Sequence, residues 1–159
     1  WVVDASVQLS HKSDTSKGGV LAVGREGVYI GPVAGLGFAP RLAVQSFPLV
    51  VEPEGKPGVY RDDGRRAART IACLVDESLH FIVITAPRGD GPTLFQLSTL
   101  LREPRPSGFG CRRALNLDGG GSSVMAIRDA ATGKYHILNE PTDGRERAVA
   151  NVLGISVDK

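Results

Sequence analysis

Residues 114–127 read ALNLDGGGSSVMAI, and this stretch narrows the possible folds furthest. An apolar run ends on one carboxylate, Asp118. Three glycines and two hydroxyls follow, and a second apolar run then begins. Glycine lets backbone approach a neighbour or a ligand closely, at a cost in conformational entropy on folding. Three in succession beside an acid are a poor choice for a mere connection, so the segment reads as strand, active-site loop, strand. A tight turn between two strands, which glycine and serine also favour, is the plain alternative. A Walker-type phosphate cradle is excluded, because it needs Lys followed by Ser or Thr and then a helix. Here 124–127 is apolar, 129–133 is turn-like and 135–138 is apolar again, a hairpin pattern with Thr132-Gly133 in the bend. With no helix dipole aimed at the loop, backbone amides, hydroxyls and arginines would hold an anion there.

The rest of the chain repeats this rhythm of short apolar runs between turns. Residues 1–5 read as a strand and 11–19 as a polar loop. The runs 20–23 and 27–30, parted by Gly24-Arg25-Glu26-Gly27, form a hairpin pattern. Residues 33–40 read as loop. Runs 42–46 and 49–51 flank Phe47-Pro48, and Pro48 argues against one continuous central strand. Residues 52–68 are polar and expected to form a surface loop. Runs 70–75 and 80–85 form a second hairpin across 76–78, and Phe81-Ile-Val-Ile-Thr85 has the β-branched content of a buried strand.

One helix stands out, at 93–103. Thr93-Leu-Phe-Gln96 reads as a capping box. Leu94, Leu97, Leu100 and Leu101 follow at helical spacing, and Pro104 and Pro106 end the run. Residues 148–157 read as a closing strand broken by Gly154. Many strands and one late helix predict an α+β fold with a mixed, largely antiparallel sheet and few helices. The helix between two strands could add one parallel connection.

The chain has 159 residues, enough for one domain with a real core. Its net charge of +2 is too small to argue for a nucleic-acid partner. No apolar run reaches the length of a membrane span. The chain opens without Met on Trp1-Val2-Val3, as a trimmed or processed chain would. Cys73 and Cys111 read first as two buried thiols acting as small apolar residues; a disulfide is the alternative if the protein is exported. No His or Cys lies at ligand spacing from either, so no metal site is expected. His11, His80 and His136 assemble no Ser-His-Asp set in sequence order. Asp62-Asp63 and Asp76-Glu77 read as turn acids. They offer oxygens to Ca²⁺, but no complete ligand loop accompanies them, and no cofactor is expected.

The segment 114–125, ALNLDGGGSSVM, closely resembles the signature of the phosphodiester glycosidase family, to which the mannose 6-phosphate uncovering enzyme belongs. Three further segments resemble that family in its order: Gln45-Ser46-Phe47-Pro48 with its neighbours, Arg69-Thr70, and the stretch from Asp90-Gly91 through the helix to Gly110-Cys111. The resemblance spans nearly all of the chain, as a single domain of 1–159 whose family start would lie further N-terminal. Asp4-Ala5-Ser6 stands where the family often has Asn-Ala-Gly or Asn-Gly-Gly, and Phe47 stands where glycine is usual.

The resemblance implies hydrolysis of a sugar joined through its anomeric carbon to a phosphodiester, by an exported α+β domain with a sheet-lined cleft. Its partner would be a glycan or sugar-phosphodiester substrate, with no nucleic acid. Such a substrate already has a good leaving group. What remains to supply is a carboxylate near the anomeric carbon and cations for the phosphate. On the family's positions Asp118 is the carboxylate, as nucleophile or as base, and Asp4 its candidate partner. Arg69 is the phosphate clamp, since a guanidinium grips phosphate through a two-point fork. Gly119, Gly120, Gly121, Ser122 and Ser123 are expected to bind phosphate oxygens or sugar hydroxyls, with Gln45, Ser46 and Thr70 as further contacts. A non-catalytic glycan-phosphate binding module, a phosphodiesterase releasing sugar 1-phosphate, and a domain that only retains the fold are the alternatives.

Overall fold

Strands with alternate residues turned to opposite faces need cover on both sides, and here two sheets and a helix supply it. The computed structural model describes residues 2–4 and 7–8 by their backbone, and 18–85, 90–150 and 152–156 in full. The first sheet contains β1 (Val2–Asp4), β2 (Val7–Gln8), β3 (Gly19–Gly24), β4 (Gly27–Gly31) and β5 (Leu42–Ser46), in the order β2-β1-β5-β3-β4. The second contains β6 (Leu49–Glu52), β7 (Lys56–Pro57), β8 (Arg69–Val75), β9 (Ser78–Ile84) and β10 (Arg113–Gly119), in the order β7-β6-β10-β8-β9. The helix α1 (Leu94–Arg102) lies between β9 and β10 in the chain. A separate ribbon pairs β11 (Ala126–Arg128) with β12 (Tyr135–Ile137). The fold is α+β, mostly antiparallel sheet with a single α-helix among the described residues.

Period-2 alternation sorts the core into layers. On β8, Ala72 and Leu74 face the first sheet and, with Leu49 and Leu115 of their own sheet, cluster with its Leu21 and Ile30. Ile71 and Cys73 face the other way, onto Leu97 and Leu101 of α1. The outer face of the first sheet, Val20, Ala22 and Ala43, is covered by Val33, Leu36 and Phe38 of the loop after β4. Fully burying a leucine of this kind is worth roughly 1.5–3 kcal/mol.

The helix begins as its sequence demands. Thr93 Oγ1 accepts from Gln96 N at 3.2 Å, and Gln96 Oε1 accepts from Thr93 N at 3.1 Å, a complete capping box. Leu97 and Leu101 are buried, and Ser98, between them, donates to Val50 O at 2.6 Å. Leu94, Leu97 and Leu101 of the leucine stripe are therefore core, seated on the second sheet, whereas Leu100 is exposed.

Several expectations need correction. Cys73 and Cys111 are joined as a disulfide rather than left as thiols. Cys73 on β8 and Cys111 just before β10 belong to the same buried cluster, which brings the two sulfurs together. Residues 152–156 form no strand: Val152 and Ile155 are exposed at 81% and 75%, and Leu153 alone of this stretch packs on the intersheet core. The parallel connection is present in direction but not as a pair. β9 and β10 both lie antiparallel to β8, which separates them. The polar stretch 52–68 is not all loop, since β7 pairs with β6 there. The expected loop around His11 lies outside the described residues. Among the described residues no helix is long and apolar enough to cross a membrane.

The bridge closes a separation of 38 residues. Replacing both cysteines with alanine is expected to lower unfolding stability by about 3–4 kcal/mol on the chain-entropy account. Urea unfolding of the double variant checks this, and an unshifted midpoint would remove the bridge from the list of stabilising features.

Candidate active site

The site grows from the end of β10. This strand lies at the centre of the second sheet, between β6 and β8. Its register with β8 holds through Asn116 opposite Ile71, then shifts so that Gly119 faces Arg69. Three steps on β10 thus match two on β8, a bulge that turns the strand end and re-aims its side chains. Asp118 sits in that bulge, exposed, with Oδ1 accepting from Gly119 N at 2.7 Å.

A corner between the sheets holds the bulge from the other side. β5 ends at Ser46 in the first sheet and β6 starts at Leu49 in the second, so Phe47-Pro48 is the crossing, as Pro48 suggested. Ser46 Oγ donates to Leu117 O. Asn116 N donates to Pro48 O at 3.0 Å, and Asn116 Nδ2 donates to Phe47 O at 2.9 Å. Phe47 itself is 52% exposed beside this corner.

The glycines then do three different things. Gly119 is extended, and a Cβ on it would stand 2.8 Å from Ala68 O, so only glycine lies this close to the neighbouring chain. Gly120 has φ of +60°, in the left-handed region that favours glycine, and its N–H donates to Ala68 O at 2.9 Å. Gly121 is buried beneath the carboxylate of Asp143, whose Oδ2 occupies the place of a Cβ. The chain closes into a 3-10 turn, Gly120–Ser122, with Ser123 N donating to Gly120 O at 3.0 Å.

Two guanidinium groups flank this turn. Arg69 donates from Nε to Pro92 O at 3.3 Å and from Nη2 to Arg65 O at 3.0 Å. Its Nη1 lies 3.7 Å from where a Cβ on Gly119 would stand. Burial pushes the Arg69 pKa down, and the Asp63 carboxylate pushes it back; the group stays protonated. At the other end of the turn Arg147 donates to Ser122 Oγ from Nε at 3.2 Å and from Nη2 at 2.6 Å. No ion pair among the described residues engages either arginine.

The sequence-derived candidates therefore separate. Asp118, Arg69, Ser46 and the loop 119–122 come together at one end of the second sheet. Ser123 is fully buried behind the loop, where its Oγ accepts from Thr70 Oγ1 at 3.1 Å. That pair braces the loop from beneath. Gln45 lies on β5 opposite Val20, one residue from Ser46. Asp4 ends β1, which meets β5 through Val2 opposite Val44 and Val3 opposite Ala43. Asp62 and Asp63 accept from backbone N–H groups two residues on, as turn acids do.

Four residues at the site escape a reading of the sequence alone. Arg147 and Asp143 come from a segment without regular structure that the fold lays over the loop. Asn139 accepts from Met125 N at 2.7 Å through Oδ1 and donates to Ser123 O at 2.9 Å through Nδ2, pinning the loop's exit. Asn116 is buried, and among the described residues its Oδ1 has no hydrogen-bond partner. The run 114–118 does show that an amide interrupts an otherwise apolar strand, the one signal available for Asn116.

Chemically, the arrangement is able to hold an anion, with a carboxylate at its rim. Two cations and the Ser122 hydroxyl surround a turn too tight for side chains, and Asp118 stands where the turn begins. The model of a family described as phosphodiester glycosidase matches residues 2–156. No curated protein and no solved structure matches the chain.

Replacing Asn139 with alanine leaves Met125 N–H and Ser123 C=O without their partner. The expected cost is about 1–3 kcal/mol of stability. Urea unfolding measures it, and a variant as stable as the parent would show that other groups hold the loop exit.

Proposed function

Because the chain belongs to the phosphodiester glycosidase family, we propose that it hydrolyses a sugar 1-phosphodiester at the anomeric carbon, releasing free sugar and a phosphomonoester. The observation that carries this reading is the bulge at Asp118, which puts a carboxylate at the head of a glycine turn flanked by Arg69 and Arg147. The phosphate lies over 119–122, gripped by the two guanidinium groups and by Ser122 Oγ. Charge develops on the phosphate oxygen as the C1–O bond breaks, and preorganised donors at that position lower the barrier. Asp118 faces the anomeric carbon, as nucleophile or as base toward water. Ser46 and Asn116 act through backbone, by fixing the strand end that carries Asp118. Gln45 and Asp4 remain candidate contacts from their family positions. An N-acetylated hexosamine is the sugar class to test first.

The disulfide supports an extracytoplasmic site of action, because such bridges persist mainly in oxidising compartments. The exposed Phe47, in place of the family's usual glycine, favours a second reading, a glycan-phosphate binding module that stacks a sugar on this ring.

Product analysis with an α-linked N-acetylglucosamine 1-phosphodiester separates the readings. Free sugar is expected from the parent protein and none from Asp118→Ala. Sugar 1-phosphate would mean P–O cleavage, and saturable binding without turnover would mean a binding module. Arg69→Ala is expected to weaken the phosphodiester far more than the neutral sugar, as calorimetric titration would show. Equal losses would take the clamp role from Arg69.

A further inference from the structure

Glycosidic bonds are commonly cleaved by two carboxylates, and Asp118 supplies one. We propose that Asp143 is the other, the base that takes the proton from the attacking water. This rests on the phosphodiester glycosidase reading of the site.

The placement of Asp143 is built. Residues 141–144 form a turn closed by Gly144 N donating to Pro141 O at 2.9 Å, with Gly144 at φ +69°. Asp143 stands inside that turn. Both of its carboxylate oxygens and Cγ face the α-carbon of Gly121, so that no side chain fits there. No hydrogen bond or ion pair among the described residues engages this carboxylate. A carboxylate held over a glycine turn without a donor stabilises little by being there, and it is open to a water. Arg147, four residues on, lays its guanidinium on Ser122, the next residue of the same turn. One segment therefore delivers a base and a phosphate-binding cation to adjacent loop positions.

The chain itself limits how far Asp118 stands from Gly121. Asp118 precedes Gly121 by three residues, so their α-carbons lie no more than roughly 11 Å apart even on a fully extended chain. The bulge and the 3-10 turn shorten that span. Paired carboxylates of glycosidases work at separations of about 5–9.5 Å.

The chemistry balances without another reactant. Water oxygen bonds to C1 as the C1–O bond to phosphate breaks, and that electron pair leaves on the phosphate. The water proton passes to Asp143 and then to solvent, leaving free sugar and a phosphomonoester. If Asp118 first forms a glycosyl ester, the same water attacks that ester, the pair returns to Asp118, and the proton again goes to Asp143. Phosphate departs as an anion, so the second carboxylate is needed as a base rather than as an acid.

The test runs the parent protein beside Asp143→Asn, Asp143→Ala, Gly121→Ala and Asp4→Asn on the N-acetylglucosamine 1-phosphodiester, with and without azide. Losing a general base typically costs about 10²–10⁴-fold in rate. Asp143→Asn is expected to lower kcat by that order with KM little changed. Azide, which has no proton to give up, should restore turnover of Asp143→Ala and yield the glycosyl azide. Gly121→Ala displaces the carboxylate end, which is exposed and can move, so kcat should fall while the melting temperature holds. Turnover of Asp143→Asn within a few-fold of the parent would overturn the assignment while leaving the glycosidase reading intact. So would a loss that azide does not rescue and that comes with a lower melting temperature. The azide pattern appearing in Asp4→Asn instead would give the role to Asp4. A parent protein that releases no sugar overturns both readings together.

Discussion

The pairing of β10 with β8 fails at one place, and the site depends on that failure. A regular ladder through residue 119 would have kept Asp118 in the pleat of a central strand. The shift between Asn116 and Gly119 turns the strand end instead, and exposes the carboxylate. Such a shift needs support, because an irregular stretch leaves backbone groups without ladder partners. Here the corner after β5 supplies it. Pro48 O, Phe47 O and the Ser46 hydroxyl take up the N–H and side-chain amide of Asn116 and the carbonyl of Leu117. The crossing between the two sheets is thus also the mount of the site.

The glycine loop follows from the same geometry. Once β10 leaves its ladder, it passes so close to Ala68 that Gly119 has no room for a side chain and Gly120 must turn left-handed. The loop can then present backbone, one hydroxyl and its flanking cations, and little else. The braces beneath it, Thr70 to Ser123 and Asn139 to both Ser123 and Met125, hold a turn that has few side chains of its own to pack. Arg69 is fixed in turn by the carbonyls of Pro92 and Arg65, so its charge is aimed rather than mobile. Preorganisation of this kind would give the proposed anion site its strength, since the donors need not reorient when charge appears.

Much of this architecture is legible in the amino-acid sequence. The capping box at Thr93 and the leucine spacing locate the helix within a residue at each end, because both signals are local. The hairpins at 20–30 and 70–84 are visible from apolar runs and their turn residues. Pro48 marks a break, which is a change of sheet. The cysteine pairing is not legible, since two thiols 38 residues apart meet only when β8 and the segment before β10 share a core. Among the described residues the expected closing strand is absent, for a related reason. Apolar residues at 152–155 satisfy a strand pattern, but a strand also needs a partner edge, and local pattern carries no information about edges.

Sequence by itself determined the chemical inventory of this protein: one carboxylate before three glycines, serines after them, an arginine at the head of a strand, and family membership through that signature. It also determined the local elements, because caps, turns and alternation act over a few residues. Tertiary structure alone decided which residues meet. It buried Ser123, seated Arg147 on Ser122, laid Asp143 on Gly121 and tied Asn116 to the 47–48 corner. Those contacts join segments far apart in the chain, through strand register and the crossing of two sheets. Both are properties of the packed chain, set by the burial of separate apolar faces at once.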